Sequence, residues 1–200
     1  SGVHNILKSK CDDIYISSYA VRPQPVFKNA MVNTSILAFR KTGKPCSGIY
    51  ATKMYRKGKN FNLQMLVEHL QFVEVKNLML FGRIPKISLE IEKDILQKLS
   101  GCDKLKSYIR ESGTAVYYRF AGGRYFKVVT NYSNGSSAER AIYFDDKYAN
   151  AIGCILSSNL SFWFYQIYSD NLNWKNCEIE STPIPPLSDE TIEKLDELYK

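Results

Sequence analysis

The sequence predicts an α+β fold with a strand-rich N-terminal region, a central unit containing a β-hairpin, and a helical C-terminal part. Three observations carry that expectation. β-Branched and aromatic residues cluster in short runs over the first sixty positions, two such runs flank Ala121-Gly122-Gly123, and apolar spacing turns helical after Asp145. A chain of 200 residues buries roughly 70% of its unfolded surface and can hold one or two cores. Its hydrophobic (44%) and charged (24%) fractions are ordinary globular values. No apolar run approaches the roughly 20 residues of a bilayer span, which leads us to expect no membrane partner.

The elements follow in order. Residues 14–21, 31–41 and 48–56 read as strands, punctuated by Arg22-Pro-Gln-Pro25 and Thr42-Gly-Lys-Pro45. From Phe61 to Phe81 the signal is mixed: Leu63, Leu66, Val67 and Leu70 have helical spacing, then Phe72, Val73 and Val75 turn strand-like. Ser88 reads as a helix N-cap, with Glu90 and Glu92 in the dipole-favoured first turn and Ile91, Ile95, Leu96 and Leu99 as the apolar face. A short second helix is expected after Asp103. The runs 116–120 and 124–129 then form a hairpin with a glycine turn. Asp145 or Asp146 caps a helix through Ala149, Ile152 and Leu156, Ser157-Ser158-Asn159 breaks it, and Leu160–Tyr168 is a second amphipathic stretch. After a polar corner at 169–175 and Pro183-Ile-Pro-Pro186, a last helix starts near Ser188 with Ile192, Leu195 and Leu198 on one stripe.

Charge is uneven along the chain. Residues 40–130 carry eighteen Lys and Arg against seven Asp and Glu, whereas residues 145–200 carry four against ten. A basic middle beside an acidic tail is the footprint of a phosphate-neutralising surface, although a solvated basic face has the same composition. The five cysteines are widely spaced with no C-x-x-C pair, so neither a zinc site nor a disulfide framework is expected. No signal-peptide pattern interrupts a cytoplasmic assignment, and the Ser1-Gly2 start leads us to expect a piece of a longer chain.

Catalytic patterns are scarce. His4 and His69 have no metal-ligand spacing, there is no G-x-S-x-G elbow, and neither glycine-rich nucleotide motif occurs. Glu74-Val-Lys76 has the spacing of a nuclease Glu/Lys pair but its nearest upstream aspartate is Asp13. Binding patterns are richer. Tyr117, Tyr118, Arg119, Arg124, Tyr125 and Lys127 alternate along the hairpin beside Gly122 and Gly123, where backbone can approach a ligand closely. Arginine there suits guanine or phosphate and tyrosine suits sugar or a flipped base. The bland alternative is a hairpin with one face packed on the core. Lys53, Arg56, Lys57 and Lys59 form a second basic strip, either phosphate-positioning or a solvated loop.

The segments Tyr117-Tyr-Arg-Phe-Ala-Gly-Gly-Arg-Tyr-Phe-Lys127, Ile142-Tyr-Phe and the block from Ile155 to Asp170, followed by Ile179 and Pro183-Ile-Pro185, resemble the C-terminal target-recognition region of Eco57I/TaqI-like restriction–modification adenine-N6 DNA methyltransferases. Tyr19-Ala-Val-Arg-Pro-Gln-Pro-Val-Phe27 and Asn33–Lys41 resemble the last strands of the catalytic domain in such proteins. The resemblance implies three parts: terminal catalytic-domain strands at 1–45, a DNA target-recognition domain at 46–186, and the start of a truncated helix at 187–200. It implies double-stranded DNA and an N-terminal catalytic domain of the same parent chain as partners. S-adenosylmethionine is implied for the parent alone, because the sequence here has no S-adenosylmethionine glycine motif and no Asn/Asp-Pro-Pro-Tyr/Phe. This part of the parent is therefore expected to bind DNA without catalysing methyl transfer. The polar corner adds Asn171, Asn173 and Lys175 as expected DNA contacts, against ordinary loop capping as the alternative. A competing function is subunit docking through the aromatic 160–168 segment and the stripe of the last helix.

Overall fold

The structure, a computed structural model, describes residues 2–27, 29, 31–58, 62–121 and 129–199. The chain is α+β, with strands prevailing in its N-terminal part and helices in its C-terminal part. It divides into two compact units, Ser1–Gln97 and Lys98–Lys200. That division differs from the boundary expected at 45/46, because strands on both sides of that point belong to one sheet.

In the first unit, α1 (Gly2–Lys10) precedes β1 (Cys11–Tyr19), which is flanked by antiparallel β2 (Thr34–Lys41) and parallel β3 (Ile49–Tyr55). A short β4 (Val73–Glu74) completes the order β2-β1-β3-β4. As an inner strand β1 is buried on both faces: Ile14 and Ile16 are core side chains, and so are Ser17 and Tyr19. Burying serine there requires partners, and the Tyr19 hydroxyl donates to Ser17 Oγ at 3.0 Å. β2 is different, since from Ser35 onward it is exposed throughout. α1 was not expected from sequence; it presents only Leu7 to the interior and has no acidic residue in its first turn. In the ambiguous stretch, Asn62 Oδ1 accepts from the Gln64 and Met65 N–H groups and caps α2 (Leu63–Glu68). At α3 (Glu90–Ser100), Glu92 Oε2 accepts from the N–H groups of Ser88 and Leu89. Only Leu96 of the expected apolar face is fully buried.

In the second unit, β5 (Asp103–Lys104) pairs with β9 (Pro183–Ile184), and a single 3₁₀ turn at Leu105–Ser107 stands where a short helix was expected. The pairing with residues eighty positions away holds Asp103 and Lys104 extended, which a local reading of the sequence does not reveal. β6 (Thr114–Arg119) lies between β7 (Val129–Thr130) and β8 (Glu139–Phe144), antiparallel to both. The base of the expected hairpin is therefore present, with Tyr117 opposite Thr130 and Tyr118 opposite Val129. Then come α4 (Asp146–Ser157), α5 (Asn159–Tyr168), α6 (Asn176–Glu180) and α7 (Asp189–Tyr199). Ser158 makes the break between α4 and α5: its hydroxyl accepts from the Ser161 N–H.

The core of this unit joins Val116, Tyr118, Ile142 and Phe144 of the sheet to Ile152 and Leu156 of α4, Tyr165 of α5, and Trp174. Each such buried side chain contributes roughly 1.5–3 kcal/mol of transfer free energy. α7 packs on α4 so closely that a Cβ on Gly153 would lie 2.4 Å from the Tyr199 ring. Consequently Ile192 is buried, whereas Leu198 of the expected stripe is 77% exposed. Among the described residues, no helix is long and apolar enough to cross a membrane.

Candidate nucleic-acid interface

Period-two alternation decides which hairpin residues face outward. In β6, Val116 and Tyr118 are buried, which turns Tyr117 and Arg119 to the opposite face. Tyr118, expected to contact DNA, is instead a core residue at 2% exposure, packed edge-on against Trp174 at 5.6 Å. Burial pushes its hydroxyl pKa up, and the positive charge of Arg140 with a hydrogen bond from it offsets this only in part. Arg119 is exposed, and its Nε donates to the Ala121 carbonyl at 3.0 Å. Tyr117 is half-buried on the same outer face. Gly122, Gly123, Arg124, Tyr125 and Lys127 lie outside the described residues.

The polar corner is annealed to the root of this hairpin. Ala121 forms a bridge with Asn173, and the Trp174 N–H donates to the Phe120 carbonyl at 2.7 Å. The fold thus brings Arg119 and Asn173, two expected contacts, into one neighbourhood. The corner is held by Asp170, whose carboxylate accepts from the N–H groups of Leu172 and Asn173 and from Lys175 Nζ at 2.8 Å. Burial alone would raise the Asp170 pKa, but the Lys175 ammonium and the two N–H donors outweigh it and hold the carboxyl below its ordinary value. Asn171 has φ of +60°, a left-handed conformation that asparagine tolerates. Lys175 is ion-paired and Asn171 shapes the turn, so the capping role accounts for both. Asn173 keeps an exposed position beside the hairpin.

Sequence reasoning missed Arg140. It lies opposite Tyr118 on β8, with its guanidinium carbon 4.1 Å from the Phe120 ring centroid and Nη1 donating to Asn176 Oδ1 at 2.6 Å. In the charge count it is cancelled by Glu139. Alternation along β8 separates the two, and Glu139 accepts from Ser133 Oγ and the Asn134 N–H to close the 133–138 loop. That alternation is the signal that could have singled it out.

The second basic strip belongs to the first unit. Lys53 and Arg56 are exposed and Lys57 is half-buried; Lys53 Nζ stands 5.6 Å from the Tyr55 ring centroid. Lys59 lies outside the described residues. A further cluster was not foreseen. The Thr42 and Gly43 N–H groups donate to the Lys10 carbonyl and the Cys46 N–H to that of Lys8, which gathers exposed Lys8, Lys10, Lys41 and Lys44 at one end of the sheet.

The Glu74/Lys76 pair has a structural use. Glu74 Oε1 accepts from the Lys76 N–H, and Lys76 Nζ donates to the carbonyls of Cys46 and Ser47. Among the described residues, no group of three or more His, Cys, Asp or Glu is placed to hold a metal ion. No family model, curated protein or solved structure matches the chain.

Proposed function

We propose that this chain is a sequence-specific DNA-recognition domain of a bacterial restriction–modification adenine-N6 methyltransferase, or of a fused type II restriction and modification enzyme. It binds duplex DNA and positions it for methylation by a separate catalytic domain that uses S-adenosylmethionine. The carrying observation is the joining of the hairpin root to the 169–175 corner, which sets exposed Asn173 and Arg140 beside one aromatic support, Phe120 and Trp174, with exposed Arg119 on the opposite face of the same strand. Basic and hydrogen-bonding side chains fixed on a rigid base are what contact with phosphates and base edges requires. The uneven charge and the resemblance of residues 117–170 support the same reading.

Fluorescence anisotropy with a mixed-sequence duplex across a salt titration tests it. The expected result is binding at low ionic strength that weakens steeply with salt. Combined Arg119→Ala and Arg124→Ala substitution is expected to cost roughly 1–3 kcal/mol for each base contact removed. Salt-independent affinity, or none at low salt, would overturn the proposal.

A second reading, docking of a protein partner, draws on a different surface from the one the sequence suggested. Phe164, Tyr165, Ile167 and Tyr168 are buried and α7 packs on α4, so each expected docking stripe is largely covered, with Leu160 and Leu198 left exposed. β2 instead exposes Ile36, Leu37 and Phe39 by 40%, 43% and 49% along the edge of its sheet. Such an edge favours strand addition. Sedimentation without DNA distinguishes the readings, because docking between copies predicts concentration-dependent association that Leu37→Lys abolishes.

A further inference from the structure

We propose that Arg140 and Glu180 together read a G·C base pair, Arg140 donating to guanine O6 and N7 and Glu180 accepting from the cytosine N4 amino group. The inference rests on the DNA-recognition reading and names the base pair and residues through which that reading acts.

The two side chains line a recess of about 210 Å³ in the second unit, together with Arg110, Asn176, Ile109 and Ile179. Their surroundings differ in a way that assigns roles. Arg110 is neutralised, for its Nη2 and Nε contact Asp145 Oδ2 and Oδ1 at 2.8 and 3.2 Å. Arg140 has neutral partners instead: the Phe120 ring, the Asn176 amide oxygen and the Tyr118 hydroxyl. Among the described residues no carboxylate forms an ion pair with it. Its guanidinium is exposed and is oriented before any ligand arrives, so little side-chain entropy remains to be lost on binding.

A guanidinium with no carboxylate partner suits phosphate and guanine alike. Glu180 separates the two. A carboxylate lining the same recess repels a phosphate but accepts from an exocyclic amine, and the major-groove edge of a G·C pair offers both the acceptors Arg140 needs and the donor Glu180 needs. A merely structural arginine would be expected to end on a carboxylate, as Arg110 does. Arg140 ends on groups that fix its plane, with no carboxylate in ion-pair contact among the described residues.

Selection from a library of randomised duplexes, with the wild-type chain and the variants Arg140→Ala, Arg140→Lys and Glu180→Gln, tests the assignment. Wild type is expected to enrich a site containing a fixed G·C pair. Arg140→Ala is expected to keep the rest of that site and lose preference at this pair, lowering affinity for the selected duplex on the order of tenfold to a hundredfold. Arg140→Lys should recover part of the preference, and Glu180→Gln should relax it while leaving the melting temperature unchanged; these two carry the test if the alanine variant unfolds. An unchanged selected site in Arg140→Ala would overturn the assignment alone. Equal weakening on every duplex, with the salt slope reduced by about one, would make Arg140 a phosphate contact and overturn it too. A wild-type chain that enriches no site would overturn both this assignment and the recognition reading.

Discussion

Residues 1–97 hold fifteen Lys and Arg against seven Asp and Glu, whereas residues 98–200 hold twelve against thirteen. The near-neutral second unit is nevertheless the more polarised, with eight against three in residues 98–144 and four against ten in residues 145–200. The manner of fixing also differs. Lys8, Lys10, Lys41 and Lys44 are simply exposed at the end of a sheet, while Arg110, Arg140 and Lys175 are each held by named partners. Loosely held surface cations supply screened, sequence-independent attraction, and oriented ones supply selectivity. On the proposed reading the first unit provides affinity and the second provides discrimination.

The hardest way to break this comparison is to remove the support beneath the oriented residues. Trp174→Ala is expected to cost about 3–5 kcal/mol, because the indole is 2% exposed and packs against Tyr118 and Tyr165. Urea unfolding followed by far-ultraviolet circular dichroism should show the second unit melting early and the first retained as a separate transition. Replacing Lys53, Arg56 and Lys57 by glutamine should sharpen the contrast from the other side. Affinity for all duplexes falls together by about 1–2 kcal/mol, the salt slope shrinks by up to about three, and the selected sequence stays the same.

Smaller effects test the corner and the last helix. Because the Asp170 pKa is lower in the fold than in the unfolded chain, its contribution is present above about pH 4 and is lost as pH falls through the folded value. Asp170→Asn is therefore expected to cost about 1 kcal/mol at neutral pH, and its melting temperature should converge on that of wild type in acid. Tyr199→Phe should be neutral or stabilising by up to about 1 kcal/mol, since the hydroxyl is buried with no hydrogen-bond partner among the described residues. Burial pushes that hydroxyl's pKa up to about 12. A clear loss of stability in this variant would show that the hydroxyl has a partner in solution.

Much of this architecture was legible because local chemistry and tertiary packing agree. The Ser157-Ser158-Asn159 break and the alternation of β6 are written in neighbouring residues. The failures have a common cause in contacts distant along the chain. Parallel pairing of β1 with β3 joins strands on both sides of residue 45 in one sheet, and pairing with β9 holds Asp103 and Lys104 extended, so that only a 3₁₀ turn follows where a short helix was expected. α1 and α6 are short, with one and two buried residues, and carry little periodic signal. For the site, alternation establishes that Tyr117 and Tyr118 face opposite ways without saying which faces the core. Trp174 decides it by packing against Tyr118.

Trp174 also gives the protein its own optical gauge. Its indole is enclosed by two tyrosine rings, and its backbone is tied to Phe120 at the foot of the hairpin. Trp163 is the other tryptophan, so a Trp163→Phe chain would confine indole emission to this junction. Its wavelength and quenching would then follow the seating of the hairpin root in real time, without a label on protein or ligand.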